Sequence, residues 1–323
     1  MKAAIYTRYG SPDVVRITDV EKPLAKDNEV LIKVRAASVN PMDWHIMRGT
    51  PYFLRLVAGL SKPRDGRLGA DVAGEVEAVG KNVTQFKPGD EVFGVCRGAF
   101  AEYACAPESK VAVKPANVTF EQAASAPVAA LTALQGLRDK GHIQPGYKVL
   151  INGTAGGVGT FTVQVAKAFD AAVTGVCSTR NLEMVRSIGA AHVIDYTLED
   201  FSKNGQRYDL IFDCVGNHSL TACRRVLNAT GTYIGVGGST GRWMIGSFAR
   251  AITMPIMSRV ASQKLVMILA KPNRNDLTVI GDLMNTGKVR PVIDRRYRLS
   301  EVPDAIRYLE EGHARGKVVI ILA

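Results

Sequence analysis

The sequence has no C-x-x-C pair, and its five cysteines (Cys96, Cys105, Cys177, Cys214 and Cys223) are an odd number. That excludes a disulfide framework or a zinc-ribbon spacing and points to a reducing compartment. No apolar run approaches the roughly 20 residues that a membrane span needs. The opening MKAAIYTRYG holds one lysine and lacks the apolar core of a secretory signal. The expectation is a soluble, cytoplasmic protein. Internal repeats, low-complexity tracts and long linkers are missing too. Acid is scarce relative to base: 30 Asp and Glu stand against 41 Lys and Arg, a formal net charge of +11. Such a balance favours anionic partners (nucleotide phosphates, nucleic acid or an anionic membrane surface) without choosing among them. With 323 residues, 46% of them hydrophobic, disorder is excluded and one large or two ordinary domains are expected.

What is present divides in two. The first hundred residues read as all-β: KAAIYT, EVLIKVRAASV, GEVEAVG and EYACA are short and rich in Val, Ile and Ala. Gly10, Pro12, Pro23, Asn28, Gly80, Pro88 and Gly89 punctuate them. KPGDEVFG reads as a turn feeding a barrel-type strand. From TFEQAASAPVAALTALQGL onward apolar residues recur at helical spacing, and Thr119 with Gln122 forms a capping-box pattern. Strands (KVLING, AAVTGVC, AHVID, YDLIFDCV, GTYIGVG) then alternate with helices (GGVGTFTVQVAKAF, LEMVRSIG, SLTACRRVL). That is the pattern of βαβ units around a parallel sheet covered on both faces. GKVVIIL at the end reads as one more strand, returning to the first domain.

Between the first such strand and helix lies Asn152-Gly153-Thr154-Ala155-Gly156-Gly157-Val158-Gly159, where a dinucleotide-binding turn belongs. Glycines there permit the tight turn and let backbone N–H groups approach a pyrophosphate, which the helix N-terminus also favours. An NAD site usually ends its second strand on Asp or Glu, to bind the ribose 2′-hydroxyl. Here that place reads Cys177-Ser178-Thr179-Arg180-Asn181. Hydroxyls at Ser178 and Thr179 with the Arg180 guanidinium suit a 2′-phosphate, so the expected cofactor is NADPH. The alternative for Arg180 is a solvated residue at a helix start.

Over essentially its whole length the chain resembles the medium-chain dehydrogenase/reductase superfamily, in its zinc-independent quinone oxidoreductase-like branch. The motifs behind this are AASVNPMDWHIMRG, GADVAGEVEAVG, FKPGDEVFG, PVAALTAL, the glycine turn, SIGAAHVIDY, DCVG and GKVVIIL. The resemblance implies an α/β fold: a GroES-like β-barrel domain plus a Rossmann domain with a doubly wound parallel sheet. The expected boundaries are 1–122, completed by about 292–323, for the barrel domain and 123–291 for the NADP-binding domain, with the cofactor in the cleft. Alcohol dehydrogenases of the superfamily hold a catalytic zinc, but the matching positions here read Asn40, Ala70 and Val128. None is a usual zinc ligand, so no metal is expected; a zinc borrowed through His45 and Asp71 is a remote alternative. Without a Lewis acid, alcohol oxidation is disfavoured. Hydride delivery to a quinone or an α,β-unsaturated carbonyl fits better.

The resemblance also implies site residues. Asn40 would lie near the nicotinamide ribose and Thr132 against the nicotinamide, with a turn residue and a helix-interior residue as the alternatives. Tyr196 would flank the adenosine phosphate, or merely pack. Cys214, Val215 and Gly216, then Gly235, Val236 and Gly237, end strands beside the cofactor, and Cys214 reads as a small buried residue rather than a nucleophile. Lys317 is a candidate cofactor contact or an exposed strand residue. Tyr52 and His45, with Trp44 and Phe53, are candidates on the substrate side, Tyr52 being the first choice of proton donor. Residues 239–275 contain six Lys or Arg and no acid, and Met244, Phe248, Ile252, Ile256 and Val260 recur every four residues. This stretch reads as a pocket wall and homodimer flank, or as a basic surface for anionic membranes; no RNA-binding motif accompanies the charge. Two functions compete: an NADPH-dependent reductase of small electrophilic acceptors, and a non-catalytic NADPH-binding interaction protein.

Overall fold

The structure, a computed structural model, describes residues 1–236, 254 and 262–322. The chain divides into two compact units. The first comprises Met1–Val128, Pro272–Thr286 and Pro291–Ala323. Its seven-stranded sheet runs β14 (Ile293–Arg298), β15 (Lys317–Ile321), β3 (Glu29–Val39), β4 (Asp71–Val79), β5 (Glu91–Val95) and β7 (Val111–Val113), with β6 (Tyr103–Pro107) also paired to β3. Only β14 and β15 pair in parallel. β3 is the organising strand, because it bonds to β4, β6 and β15. Its run VLIKVRAASV is accordingly buried at nearly every position. Two further strands, β1 (Lys2–Ile5) and β2 (Arg16–Asp19), form a separate hairpin. Val30, Ile32, Val34, Val72, Val76, Phe100, Val318 and Ile320 build the core of this unit.

Where β3 ends, helix α1 (Pro41–Arg48) begins. Pro41 occupies the first helical position, where its missing N–H costs nothing. Asp43 at the third position accepts the Asn40 N–H at 2.7 Å, half of a capping box. Gly49 closes the helix at φ +61°, the left-handed conformation typical of a helix C-terminus. A short helix α2 (Leu54–Ala58) follows.

The expected single helix after residue 119 is divided into α3 (Phe120–Ser125) and α4 (Pro127–Gln135). Pro127 has no N–H to continue the α3 ladder, so a new helix starts on it. The Thr119 and Gln122 capping box is present in both directions, at 3.2 and 3.0 Å.

The second unit is Ala129–Lys271 with Gly287–Arg290. Its sheet is parallel throughout, ordered β10 (His192–Asp195), β9 (Ala172–Cys177), β8 (Lys148–Asn152), β11 (Tyr208–Asp213), β12 (Leu227–Val236) and β13 (Lys264–Ile268). In order of appearance that is 3-2-1-4-5-6, the doubly wound dinucleotide-binding arrangement, and the winding reverses between β8 and β11. The central strands β8 and β11 are short apolar runs buried on both faces. Helices α5 (Gly157–Ala168), α6 (Leu182–Ser187) and α7 (Leu220–Arg225) connect them.

Residues 272–286, assigned by sequence to the second domain, cluster with the first unit. They form α8 (Arg274–Asn285), which buries Leu277, Ile280 and Met284. A Cβ built on its Gly281 would touch Phe93 and Pro115 at 3.7 Å, so the helix lies directly on the first unit's sheet. The last helix, α9 (Val302–Glu310), sends Val302, Ala305 and Ile306 into the same core. Gly237 and the apolar series from Met244 to Val260 lie outside the described residues. Of the basic stretch 239–275, the part from 262 on includes β13 and the start of α8.

Candidate functional site

In the second unit, β8 delivers the chain to Gly153 at φ +88°. A Cβ there would meet Val215 Cγ2 at 2.6 Å, so the turn after β8 and the loop after β11 touch at the point where the winding reverses. Thr154, fully buried, ties the turn to β9 by donating its hydroxyl to the Val176 carbonyl at 3.0 Å. A Cβ on Gly159 would lie 2.1 Å from the Gly153 carbonyl oxygen; only glycine lets α5 begin this close to the turn. Gly156 is different. Among the described residues its Cβ would meet nothing nearer than 3.6 Å, so these leave room for a side chain. No side chain caps the start of α5, and its first turn holds no acid. Helix N–H groups without a side-chain cap, beside space that the described residues leave unfilled, are what a pyrophosphate needs. Val158 lies on the same first turn.

Asp213, at the carboxyl end of β11, is the functional residue the sequence reading passed over. It is 2% exposed. Its Oδ1 accepts the Val215 and Gly216 N–H groups at 3.0 and 2.8 Å and the Asn152 amide at 2.9 Å. Its Oδ2 accepts the Tyr233 hydroxyl at 2.7 Å. One carboxylate thus shapes the loop Cys214-Val215-Gly216 and joins the ends of β8, β11 and β12. The signal was the Asp of DCVG, masked there by its use as a family motif. Burial, reinforced by the Asp213 charge, pushes the Cys214 thiol well above its ordinary range, which agrees with a packing role. Gly235 and Val236 end β12.

At the end of β9, Ser178 is half-buried while Thr179 and Arg180 are exposed. Ser178 Oγ accepts the Asn181 amide at 3.1 Å. The acid that β9 lacks is found one strand over. Asp195, ending β10, accepts the Thr179 hydroxyl at 2.5 Å and the Thr197 N–H and hydroxyl at 2.9 and 2.7 Å. The Thr179 bond, foremost, holds its carboxyl below the usual carboxylate range. Tyr196 follows, 59% exposed, which removes packing as its explanation.

In the first unit a second buried carboxylate gathers the sequence-predicted residues. Asp71 is fully buried. Its Oδ2 accepts the Ser38 hydroxyl at 2.7 Å, the Asn40 amide at 2.8 Å and Lys317 Nζ at 3.2 Å. Its Oδ1 accepts the Val128 N–H at 2.9 Å. Lys317 also donates to Asn40 Oδ1 at 2.7 Å and is 3% exposed, so the exposed-strand alternative for it is corrected. These residues do not fit a zinc ion. Ala70 and the Val128 side chain have no donor atom, Asn40 and Asp71 are engaged by an ammonium, and a borrowed site through Asp71 finds both oxygens occupied. Among the described residues no group of three or more His, Cys, Asp and Glu side chains could hold a metal.

The substrate-side candidates are less closely knit. His45 sits on α1, its ring stacked near Trp44 with centroids 3.6 Å apart. Nδ1 lies 3.0 Å from the Thr50 carbonyl oxygen; only a donor can pair with that oxygen, so Nδ1 carries the proton. Burial lowers the His45 pKa, against the Thr50 bond. The ring is therefore neutral at pH 7 with Nε2 bare, which makes His45 a poor proton donor. Tyr52 is 73% exposed, with the Arg55 guanidinium 4.8 Å from its ring centroid. Phe53 is 46% and Trp44 6% exposed. Thr132, on α4, is buried.

Asp43 supplies a pH test. Its pKa rises from 3.8 to about 7, first through burial and then through the Asp71 charge, against the Asn40 and Gly69 N–H bonds and the Lys317 charge. Between those two pH values the folded chain holds a proton that the unfolded chain releases. Stability should therefore fall as pH rises through this window, by at most about 1.4 kcal/mol per pH unit, and level off above it. Asp43→Asn should flatten that part of the profile. Urea unfolding of both proteins from pH 4.5 to 8 checks this, and identical slopes would refute it.

Comparison with known proteins agrees with this geometry. Residues 26–116 match the alcohol dehydrogenase GroES-like domain family and residues 188–320 the zinc-binding dehydrogenase family. The chloroplast envelope quinone oxidoreductase homolog of Arabidopsis thaliana is 34% identical, over 99% of this chain and 98% of that one. The chloroplastic NADPH-dependent alkenal/one oxidoreductase of the same plant is also 34% identical, over 99% of this chain and 79% of that one. The structure of the quinone oxidoreductase from Coxiella burnetii superposes with a TM-score of 0.87 at 32% identity, covering 100% and 99% of the two chains. A parallel sheet wound 3-2-1-4-5-6, a glycine turn opening at its reversal and relatives of this kind along the full length lead to one conclusion. The chain belongs to the medium-chain dehydrogenase/reductase superfamily, in its quinone oxidoreductase-like branch.

Proposed function

We propose that this protein is an NADPH-dependent oxidoreductase that reduces quinones or the conjugated carbon of α,β-unsaturated carbonyls without zinc. The observation behind it is the unfilled space at Gly156, beside uncapped helix N–H groups at the sheet's reversal, in a chain 34% identical to an NADPH-dependent alkenal/one oxidoreductase. The quinone oxidoreductase homolog of Arabidopsis thaliana, also 34% identical, supports the same catalytic reading.

When bound, NADPH supplies a hydride from its nicotinamide ring. The chain's own residues would bind and orient. Gly157, Val158 and Gly159 offer backbone N–H groups to the pyrophosphate, while Gly153, Thr154 and Gly156 shape the turn, their own N–H groups donating to the Val176 and Gly153 carbonyls. Ser178, Thr179 and Arg180 meet the 2′-phosphate, and Tyr196 follows the end of the adjacent strand β10. Asp213 holds Cys214 and Val215 in shape, with Gly235 and Val236 on the neighbouring strand. Asn40, Thr132 and Lys317 serve the nicotinamide end. The Tyr52 hydroxyl is the candidate proton donor to the reduced acceptor, since neutral His45 has no proton on Nε2. We include a cytoplasmic homodimer in the proposal: all five cysteines are free thiols, and among the described residues β13 is an edge strand, a template for pairing with another chain.

Purified protein should oxidise NADPH with members of a panel of quinones, alkenals and enones, and a chain that binds NADPH yet reduces none of them would restore the non-catalytic reading. Arg180→Ala should raise the NADPH Kd about tenfold, the equivalent of roughly 1.4 kcal/mol from a lost charge-assisted bond, and leave NADH binding nearly unchanged. Gly156→Val should fold with an unaltered melting temperature, because the described residues leave room for it, but bind NADPH at least about tenfold more weakly. A wild-type Kd for the variant would move the phosphates elsewhere. Elemental analysis should find no stoichiometric zinc, and chelators should leave turnover intact; the reverse would overturn the metal-free mechanism.

A further inference from the structure

Lys317 is a buried cation, only 3% exposed. Its ammonium has three N–H donors, and the structure gives it two acceptors, Asn40 Oδ1 at 2.7 Å and Asp71 Oδ2 at 3.2 Å. The three side chains come from places far apart in sequence: the cap of α1, the first residue of β4 and the first residue of β15. Asn40 bonds to both of the others, Oδ1 to the ammonium and Nδ2 to the carboxylate at 2.8 Å. Those two charges settle the orientation of its amide, because a flipped amide would point N–H at an ammonium and oxygen at a carboxylate. The backbone is held as well, by Asn40 N–H donating to Asp43 Oδ2 at 2.7 Å. What Asn40 can still offer a ligand is one lone pair of Oδ1 and its second N–H, whose nearest acceptor is the Ser38 carbonyl at 3.4 Å.

We infer that Lys317 is a positioning residue that works through Asn40: paired with Asp71, it fixes which polar groups of the Asn40 amide face a ligand. The inference rests on the proposed NADPH-dependent reading, in which Asn40 serves the nicotinamide ribose. Hydroxyls of a ribose both donate and accept, so a lone pair and an N–H held in fixed places discriminate between poses that a freely rotating amide would accept equally. The same ammonium accounts for the misfit to zinc, since it bonds two of the groups that a metal would need.

Lys317→Met alone leaves the Asp71 carboxylate buried without its cation, a change that destabilises strongly. The double variant Lys317→Met/Asp71→Asn removes both charges together and keeps the test readable if the single variant does not fold. Two measurements apply. With selective labelling of asparagine, the Asn40 side-chain amide of the cofactor-free wild type should show a shifted, slowly exchanging proton pair. In the double variant that pair should move to solvent-exposed values. NADPH titration should show a Kd raised about tenfold in the double variant. Adding Asn40→Ala should bring little further loss, because residue 317 acts through residue 40. An unchanged amide signal overturns the inference, as does an unchanged Kd or a loss that adds fully to that of Asn40→Ala. A purely structural role would lower the melting temperature of the single variant and leave the double variant's Kd at the wild-type value. A wild type that shows the protected amide yet binds no NADPH refutes the cofactor reading instead.

Discussion

A carboxylate removed from water has to be satisfied by the protein, and each unit is arranged around one such group. In the first, Asp71 takes donors from the end of β3, the cap of α1, the start of α4 and the start of β15. In the second, Asp213 takes them from β8, β12 and its own following loop. Leaving one such donor or acceptor unpaired costs about 1–3 kcal/mol, and more where a charge is involved. Chain segments that share a buried carboxylate therefore cannot drift independently. The candidate binding residues sit at these junctions: Asn40 and Lys317 at the first, Gly153, Cys214 and Val215 at the second.

The pattern of βαβ units, the glycine turn and the β-rich first hundred residues were legible in sequence because each is a local property. Strand runs and helical periodicity span 5 to 12 residues here, and the sheet order follows from the doubly wound rule once the units are counted. The two carboxylate hubs were not legible. Lys317 and Asn40 are 277 positions apart, Lys317 and Asp71 246, and no spacing rule reaches that far. A lysine opening a strand reads as solvent-facing, because Lys is rarely buried unless paired. Only the fold reveals its partner. The placement of residues 272–286 was hidden for a similar reason. The apolar stripe of α8 shows that the helix is covered, whereas which sheet covers it is a question of topology.

Asp195 shows how a correct local observation needs a neighbour to be complete. The end of β9 does lack an acid, but the adjacent end of β10 supplies one within hydrogen-bond reach of Thr179. In a parallel sheet the carboxyl ends of neighbouring strands lie together, so the charge at an adenosine site is set by two strand ends rather than one. Here Asp195 is surrounded by the Thr179 and Thr197 hydroxyls and the Thr197 N–H. It is engaged as an acceptor by its own loop, and by gripping Thr179 it fixes the residue next to Arg180. In the proposed reading, a carboxylate used in this way would support the residues assigned to the 2′-phosphate, where a free one would suit the ribose 2′-hydroxyl of NADH.

The two substrate-side candidates were separated by hydrogen-bond chemistry that no motif encodes. His45 is held by the carbonyl of Thr50, five residues on, which places its single proton on Nδ1 and, with burial lowering its pKa, leaves it neutral. A general acid must present its proton to the reacting group, and this histidine presents a bare nitrogen instead. Tyr52 keeps an exposed ring, with the Arg55 guanidinium 4.8 Å from its centroid. Sequence alone could rank the pair only by which matched the family's pocket. The hydrogen bond to Thr50 argues against His45 and so leaves Tyr52 as the candidate that the proposed reading carries.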